Sequence, residues 1–318
     1  MSNDFIQVKN LKKYFSTPMG SLHAVDNLSF TISKGKTLGI VGESGCGKST
    51  TGRLLTKLHE PTDGQIYFDG QDIATMKGRS LKNMRERVQI IFQDPFASLN
   101  PRRTVSETIE EPLIIHKIIK NKAERRQKVL DLMQLVGLSE RLINAYPHEL
   151  DGGRRQRIGI ARALALNPDF IVCDEPVSAL DVSIQAQILN LLNELKEKLG
   201  LTYVFITHDL SVVKHFSDEI MVIYLGEMVE KASVEQLFSN PQHPYTKALL
   251  SAIPVPSIKK KRERVILKGE ITSPINPPEA CRFAPRCVFA QDKCHQSLPE
   301  VISIDEGHDV RCMRIGEI

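Results

Sequence analysis

Short apolar runs broken by turn residues fill the first forty positions. Ile6 and Val8 alternate with polar neighbours and predict one strand, and Leu28, Phe30 and Ile32 predict another. Lys34-Gly35-Lys36 interrupts the pattern before Thr37-Leu38-Gly39-Ile40-Val41, a compact run suited to a buried strand. A glycine-rich loop and a helical stretch over residues 49–58 follow. Glu60-Pro61-Thr62-Asp63-Gly64 predicts a turn, and residues 65–68 another strand, ended by Asp69-Gly70. From about Phe96 to Asn167 the pattern is mainly helical, most clearly over 123–136 and 155–166. Then come a strand at 170–173, a helix over 184–199 and strands at 202–207 and 220–224. This order predicts an α/β scaffold interrupted by a helical insertion, without internal repeats.

Composition adds limits. Of 318 residues, 41% are hydrophobic and 25% charged, which excludes wholesale disorder, collagen and coiled coil. The length suggests two units, or one large unit with an appendage. A net charge of +4 over such a length is too weak to argue for nucleic acid. No apolar stretch is long enough to cross a bilayer, and Met-Ser-Asn-Asp does not open a signal peptide. A cytoplasmic protein with reduced thiols is expected, reaching a membrane only through partners. After Ala252 the composition changes: prolines at 254, 256, 274, 277 and 278 and the run Lys259-Lys260-Lys261-Arg262-Glu263-Arg264 read as a solvated linker. Beyond it lies a tail with four of the six cysteines.

Gly42-Glu43-Ser44-Gly45-Cys46-Gly47-Lys48-Ser49 fits G-x-x-x-x-G-K-[ST] at every fixed position, between a buried strand and a helix. Its glycines let backbone N–H groups turn inward around phosphates, and the helix beginning at Ser49 and Thr50 adds its positive end. Lys48 is expected to reach the β- and γ-phosphates, the Ser49 hydroxyl to take one position on Mg²⁺, and Cys46 to be a small filler. The apolar run Phe170-Ile171-Val172-Cys173 ends in Asp174-Glu175. Two carboxylates there are costly unless something cationic binds, so Asp174 fits an acid that orders Mg²⁺ and Glu175 a base acting on water.

Further segments follow in a recognisable order: Gln93 in Ile91-Phe92-Gln93-Asp94-Pro95, then Leu150-Asp151-Gly152-Gly153, Ser178-Ala179-Leu180-Asp181 and Thr207-His208-Asp209. With the phosphate loop they resemble an ABC transporter ATPase from about Phe5 to Ala252. The resemblance is nearest to ATP-binding subunits of dipeptide/oligopeptide importers, through Asp174-Glu175-Pro176-Val177-Ser178-Ala179-Leu180-Asp181-Val182-Ser183 and Asn240-Pro241-Gln242-His243-Pro244-Tyr245-Thr246-Lys247-Ala248-Leu249-Leu250. It implies an α/β P-loop core with a RecA-like, mainly parallel sheet and an antiparallel β part. The implied organisation is a cassette over 1–252 with its helical subdomain at about 96–167, a linker over 253–278 and a cysteine-containing extension over 279–318.

The resemblance also implies roles. Tyr14 would stack on adenine, Gln93 would touch Mg²⁺ and the attacking water, Glu175 would be the base and His208 would contact the γ-phosphate. Gly152 and Gly153, with Asp151, would face the ATP of the opposite subunit, and Ser178, Ala179, Leu180 and Asp181 would form the loop between two cassettes. Implied partners are a second ATPase chain, two transmembrane permeases and, indirectly, an extracytoplasmic solute-binding protein, on the cytoplasmic face of the plasma membrane. No nucleic acid is expected.

The family signature usually reads Leu-Ser-Gly-Gly-Gln, whereas this chain has Asp151 and Arg154. A carboxylate near a polyphosphate repels it unless neutralised, by Arg154 or Arg155. Two unequal ATP sites are therefore expected, the site using Lys48 and Glu175 being fully active. The tail pattern Cys281-x5-Cys287-x6-Cys294-x17-Cys312 lacks a short zinc knuckle and suits a [4Fe–4S] cluster better than Zn²⁺; Cys281-Arg282-Phe283-Ala284-Pro285-Arg286-Cys287 resembles the C-terminal extension of the same importers. Rival readings are a soluble ABC ATPase acting on nucleic acid or ribosomes, and an importer of nickel chelates or sugars.

Overall fold

A computed structural model describes residues 4–253, 265, 267, 269 and 273–317; the basic run at 259–264 lies outside them. The chain divides into two compact units. The first comprises Met1–Ile32, Thr37–Ala74 and Thr207–Ile318. In it the strands Gly20–Ser33, Asp4–Thr17, Asp63–Phe68 and Gln71–Asp72 lie in that order in one sheet. Asp4–Thr17 and Asp63–Phe68 run antiparallel, Ile6 opposite Phe68 and Val8 opposite Ile66, all four buried. Period-two alternation puts these side chains on one face.

The same unit holds Thr37–Val41, buried along its length, parallel to Glu219–Tyr224. Glu219–Tyr224 pairs antiparallel with Glu227–Ser233, which pairs in turn with the C-terminal strand His308–Arg311. That last strand and its neighbour Val301–Asp305 escape a reading of the sequence. Val301, Ile302 and Ser303 are exposed, so no apolar alternation marks them. The tail is thereby part of the same core as the phosphate loop.

The second unit, Ser33–Lys36 with Thr75–Ile206, carries parallel strands Val88–Ile91, Phe170–Asp174 and Thr202–Thr207. Its helices include Gly78–Arg87, Val105–Ile115, Lys122–Leu135, Gly152–Leu164 and Val182–Leu199. Thr104 and Glu107 form a capping box, Asn121 caps the next helix and Gly200 ends the last one at φ 66°. The expected helix over 155–166 starts three residues earlier, because the Asp151 side chain caps it.

Candidate functional site

In the first unit the loop from Gly42 to Gly47 joins the strand Thr37–Val41 to the helix Lys48–Leu55. Gly47 has φ 105°, and a Cβ there would sit 2.1 Å from the Ala24 carbonyl oxygen; at Gly42 it would sit 2.2 Å from that of Ile223. Neither position admits a side chain. Ser44 and Gly45 are exposed, while Cys46 is buried and its thiol pushed up by that burial, which keeps it a neutral filler. Lys48 is buried, and its Nζ donates to the carbonyls of Gly42 and Glu43, both at 2.9 Å. A cation thus waits at the loop's rim beside the half-exposed Ser49 and Thr50.

Tyr14 stacks on His23 at 3.8 Å between centroids, and its hydroxyl donates to Asp26 at 2.6 Å. Burial, and then that hydrogen bond, hold the phenol well above its usual range. Burial works to raise Asp26, but hydrogen bonds from Tyr14 and His23 and the Arg282 charge outweigh it and keep the carboxyl low. The expected adenine platform is therefore a paired ring. His208 follows the strand Thr202–Thr207 and is exposed; the next residue, Asp209, caps the helix Leu210–Phe216.

The second unit brings two predicted residues together. Gln93 Nε2 donates to Glu175 Oε2 at 2.9 Å. Glu175 follows the buried Asp174 in a left-handed conformation, φ 46°, and its N–H donates to Ile206 O. A non-glycine residue held there is a strained position of the sort found at working sites. The Ser178 hydroxyl donates to Glu175 O at 3.1 Å, and Asp181 caps the helix Val182–Leu199 through Ile184 N. Leu180 and Ile184 press on the signature glycines: a Cβ on Gly152 would meet Leu180 at 2.9 Å, one on Gly153 would meet Ile184 at 2.7 Å.

Asp151 accepts from Arg154 N at 2.8 Å, and Arg154 Nε lies 3.4 Å from its other oxygen. Arg155 takes no part, a correction to the expected neutralisation: it donates to Pro147 O and lies over the Phe96 ring.

In the tail, Cys281, Cys287, Cys294 and Cys312 line one small cavity with Phe283 and Phe289. Burial raises the Cys281 thiol to about 11 and pushes Cys287 and Cys312 upward too, each also raised by neighbouring cysteines. Among the described residues no group of three or more His, Cys, Asp or Glu side chains is placed to hold a metal ion. That finding supports neither the [4Fe–4S] expectation nor its zinc alternative.

Sequence reasoning missed two contributors. Tyr245 accepts the Glu43 N–H on its hydroxyl at 2.9 Å, and Arg286 grips the Glu43 carboxylate. Both sit in segments that stood out only as branch-specific motifs. His243 explains one of them: its Nδ1 accepts from Tyr245 N at 3.1 Å and caps the helix Pro244–Ser251.

Comparison with known proteins places these features in context. Residues 25–178 match the family described as ABC transporter, and residues 229–294 match the oligopeptide/dipeptide transporter C-terminal region. The dipeptide transport ATP-binding protein DppF of Haemophilus influenzae is 52% identical, over 96% of this chain and 95% of its own. The oligopeptide transport ATP-binding protein AppF of Bacillus subtilis is 51% identical over 96% of each. Among solved structures, the ATP-binding cassette MJ0796, in a dimeric post-hydrolysis state bound to ADP and Pi, superposes with TM-score 0.67 at 33% identity. That match covers 72% of this chain and 98% of the other.

Proposed function

This chain belongs to the family of ATP-binding subunits of dipeptide and oligopeptide ABC transporters, and from that premise we propose that it pairs with a second ATPase chain to drive two permeases. It is an ABC ATPase with the α/β cassette fold. The observation that carries the reading is Lys48, buried at the head of its helix within a loop that tolerates no side chain at Gly42 or Gly47. Such a loop gathers N–H donors around a triphosphate. Ser49, Asp174 and Gln93 would hold Mg²⁺, which neutralises charge on the transferred phosphoryl group.

Glu175 is the general base, and the Gln93 amide orients its carboxylate toward water. The segment from Ser178 to Asp181 and the signature from Asp151 to Gly153 form the faces that meet the other cassette. ATP contacted from both sides favours the closed pair, and hydrolysis removes that preference. The exposed Phe96, Ile114, Ile115 and Ile118 on the helical insertion supply an apolar surface for a permease helix at the cytoplasmic face of the membrane. No helix among the described residues is long and apolar enough to cross a membrane, which leaves that contact to partners. A solute-binding protein would deliver peptide from the far side. The carboxylate at Asp151 makes the two ATP sites unequal, the one using Lys48 and Glu175 being the fully active one.

The test is Glu175→Gln in the complex assembled with its partner ATPase and permeases. Removal of a general base lowers turnover about 100-fold or more while ATP-dependent closure persists. Near-normal turnover would refute both the role of Glu175 and the inequality of the sites. The four tail cysteines are read as holding a [4Fe–4S] cluster, which would supply a cross-link within the extension. The support is their shared cavity and all-sulfur chemistry.

A further inference from the structure

One arginine between the tail cysteines Cys281 and Cys287 reaches the phosphate loop. Arg286, 7% exposed, meets Glu43 as a fork: Nη1 to Oε2 at 2.6 Å and Nη2 to Oε1 at 3.1 Å. Its guanidinium also faces the Tyr224 ring, 5.9 Å from the centroid. Glu43 is the second residue of the loop, and it is held by its backbone as well. Its N–H donates to the Tyr245 hydroxyl and its carbonyl accepts from Lys48, both at 2.9 Å. Tyr224, Tyr245 and Phe283 pack with centroids 4.9 to 5.4 Å apart, so the partners of Glu43 share one aromatic cluster with the tail.

A carboxylate in a loop that collects N–H donors for phosphates is an electrostatic conflict. Unpaired, it would repel the triphosphate and compete for those donors. The bidentate guanidinium removes the charge and fixes the carboxylate in one direction. Anchoring the tail does not require this pair. Arg282 already bonds Asp26 and the Leu225 carbonyl, Arg311 reaches Glu227 at 3.2 Å, His308 reaches the fully buried Glu230 at 2.8 Å, and His308–Arg311 is paired as a strand. Among these tail contacts, Arg286 is the one whose acidic partner belongs to the phosphate loop.

We propose that Arg286 is a positioning residue for ATP binding, holding the Glu43 carboxylate so that it does not compete with the phosphates for Lys48 and the loop N–H groups. The proposal rests on the reading of Lys48 as a phosphate ligand and extends the site into the C-terminal extension. It makes ATP affinity depend on a residue about 240 positions downstream of the loop that it serves.

The experiment measures ATP KM, kcat and equilibrium affinity in the full chain with its partner, with thermal melting as a folding control. The variants are Arg286→Ala, Arg286→Lys, Glu43→Gln and the double Glu43→Gln/Arg286→Ala. Loss of a charged hydrogen-bond pair beside the phosphates predicts a rise in KM of about tenfold for Arg286→Ala, with kcat moving far less. Arg286→Lys keeps the charge without the fork and falls between. The double variant recovers most of the affinity, because it removes the repelling carboxylate. A structural role alone would leave the double variant as weak as Arg286→Ala, and that result overturns the proposal, as does unchanged affinity in Arg286→Ala. Lys48→Ala is the separate control: retained ATP binding there would sink the ATP reading itself.

Discussion

Asp151 stands where the family signature has serine, and its two possible duties separate by magnitude. The carboxylate accepts Arg154 N at 2.8 Å and so caps the helix Gly152–Leu164. No acidic residue lies in that helix's first turn, which instead carries Arg154 and Arg155, so the capping charge is the main offset to the helix dipole there. Replacing a capping Asp by Ala costs about 1 kcal/mol, and the lost dipole interaction adds roughly 0.5 kcal/mol. The ion pair with Arg154 is different: its side chains are 54% and 60% exposed, and exposed pairs contribute about 0.5 kcal/mol or less. A serine restores the cap but not the charge. The expected order of stability is therefore wild type, then Asp151→Ser and Arg154→Ala within roughly 0.5 kcal/mol, then Asp151→Ala lower by about 1.5 kcal/mol. At about 2 °C per kcal/mol for large domains, Asp151→Ala melts some 3 °C early and Asp151→Ser about 1 °C early. Thermal unfolding followed by circular dichroism on the full chain resolves that difference. If Asp151→Ser falls as far as Asp151→Ala, or Arg154→Ala costs more than either, the charge and not the cap is what the position supplies.

Two further outcomes follow, one from the buried His243 and one from the tail cysteines. Burial pushes His243 from its ordinary value down to about 3, so the unfolded chain binds a proton that the folded chain refuses between there and pH 6.5. Stability therefore falls as pH drops below 6.5, by about 1.4 kcal/mol at pH 5.5. Melting temperatures of His243→Gln across pH 7.5 to 5.5 check this, and a slope equal to wild type would be the contrary result. For the cysteines, anaerobically purified protein is expected to carry iron and acid-labile sulfide with a broad absorption near about 400 nm. Zinc alone in elemental analysis defeats the cluster reading.

Much of the site was legible because its chemistry is local in sequence. The phosphate loop, Asp174-Glu175 and Gln93 announce themselves by residue type at fixed spacing, and the strand patterns around them are strong, Thr37–Val41 and Phe170–Asp174 being buried throughout. What stayed hidden depends on side-chain contacts that no local pattern announces. Nothing near Glu43 signals that its partner is Arg286, and nothing near Tyr14 signals that Asp26 and His23 hold it. Helix starts were misplaced where capping decided them, as at Asp151 and Asp181. The strand Val301–Asp305 went unread because it is exposed, so hydrophobic periodicity does not betray it.

The tail changes the meaning of its own cysteines. Read as a sequence, a short segment with four thiols and little apolar content needs metal to fold. In the folded chain it borrows a core. Phe283 enters the cluster of Tyr224, Tyr245 and His243, and His308–Arg311 joins the edge of Glu227–Ser233. Aromatic pairs of this kind contribute about 0.5 to 1.5 kcal/mol each beyond their buried area. Burial raises the Glu227 carboxyl, while the charges of Arg282 and Arg311 pull it back toward the ionised form. An extension tied down by buried pairs and a strand does not depend on metal for its attachment. A cluster bound by Cys281 and Cys287 would instead stiffen the short segment between them, and that segment presents Arg282 to Asp26 and Arg286 to Glu43. Metal at the cysteines and nucleotide at the loop would then act on the same few residues from opposite ends.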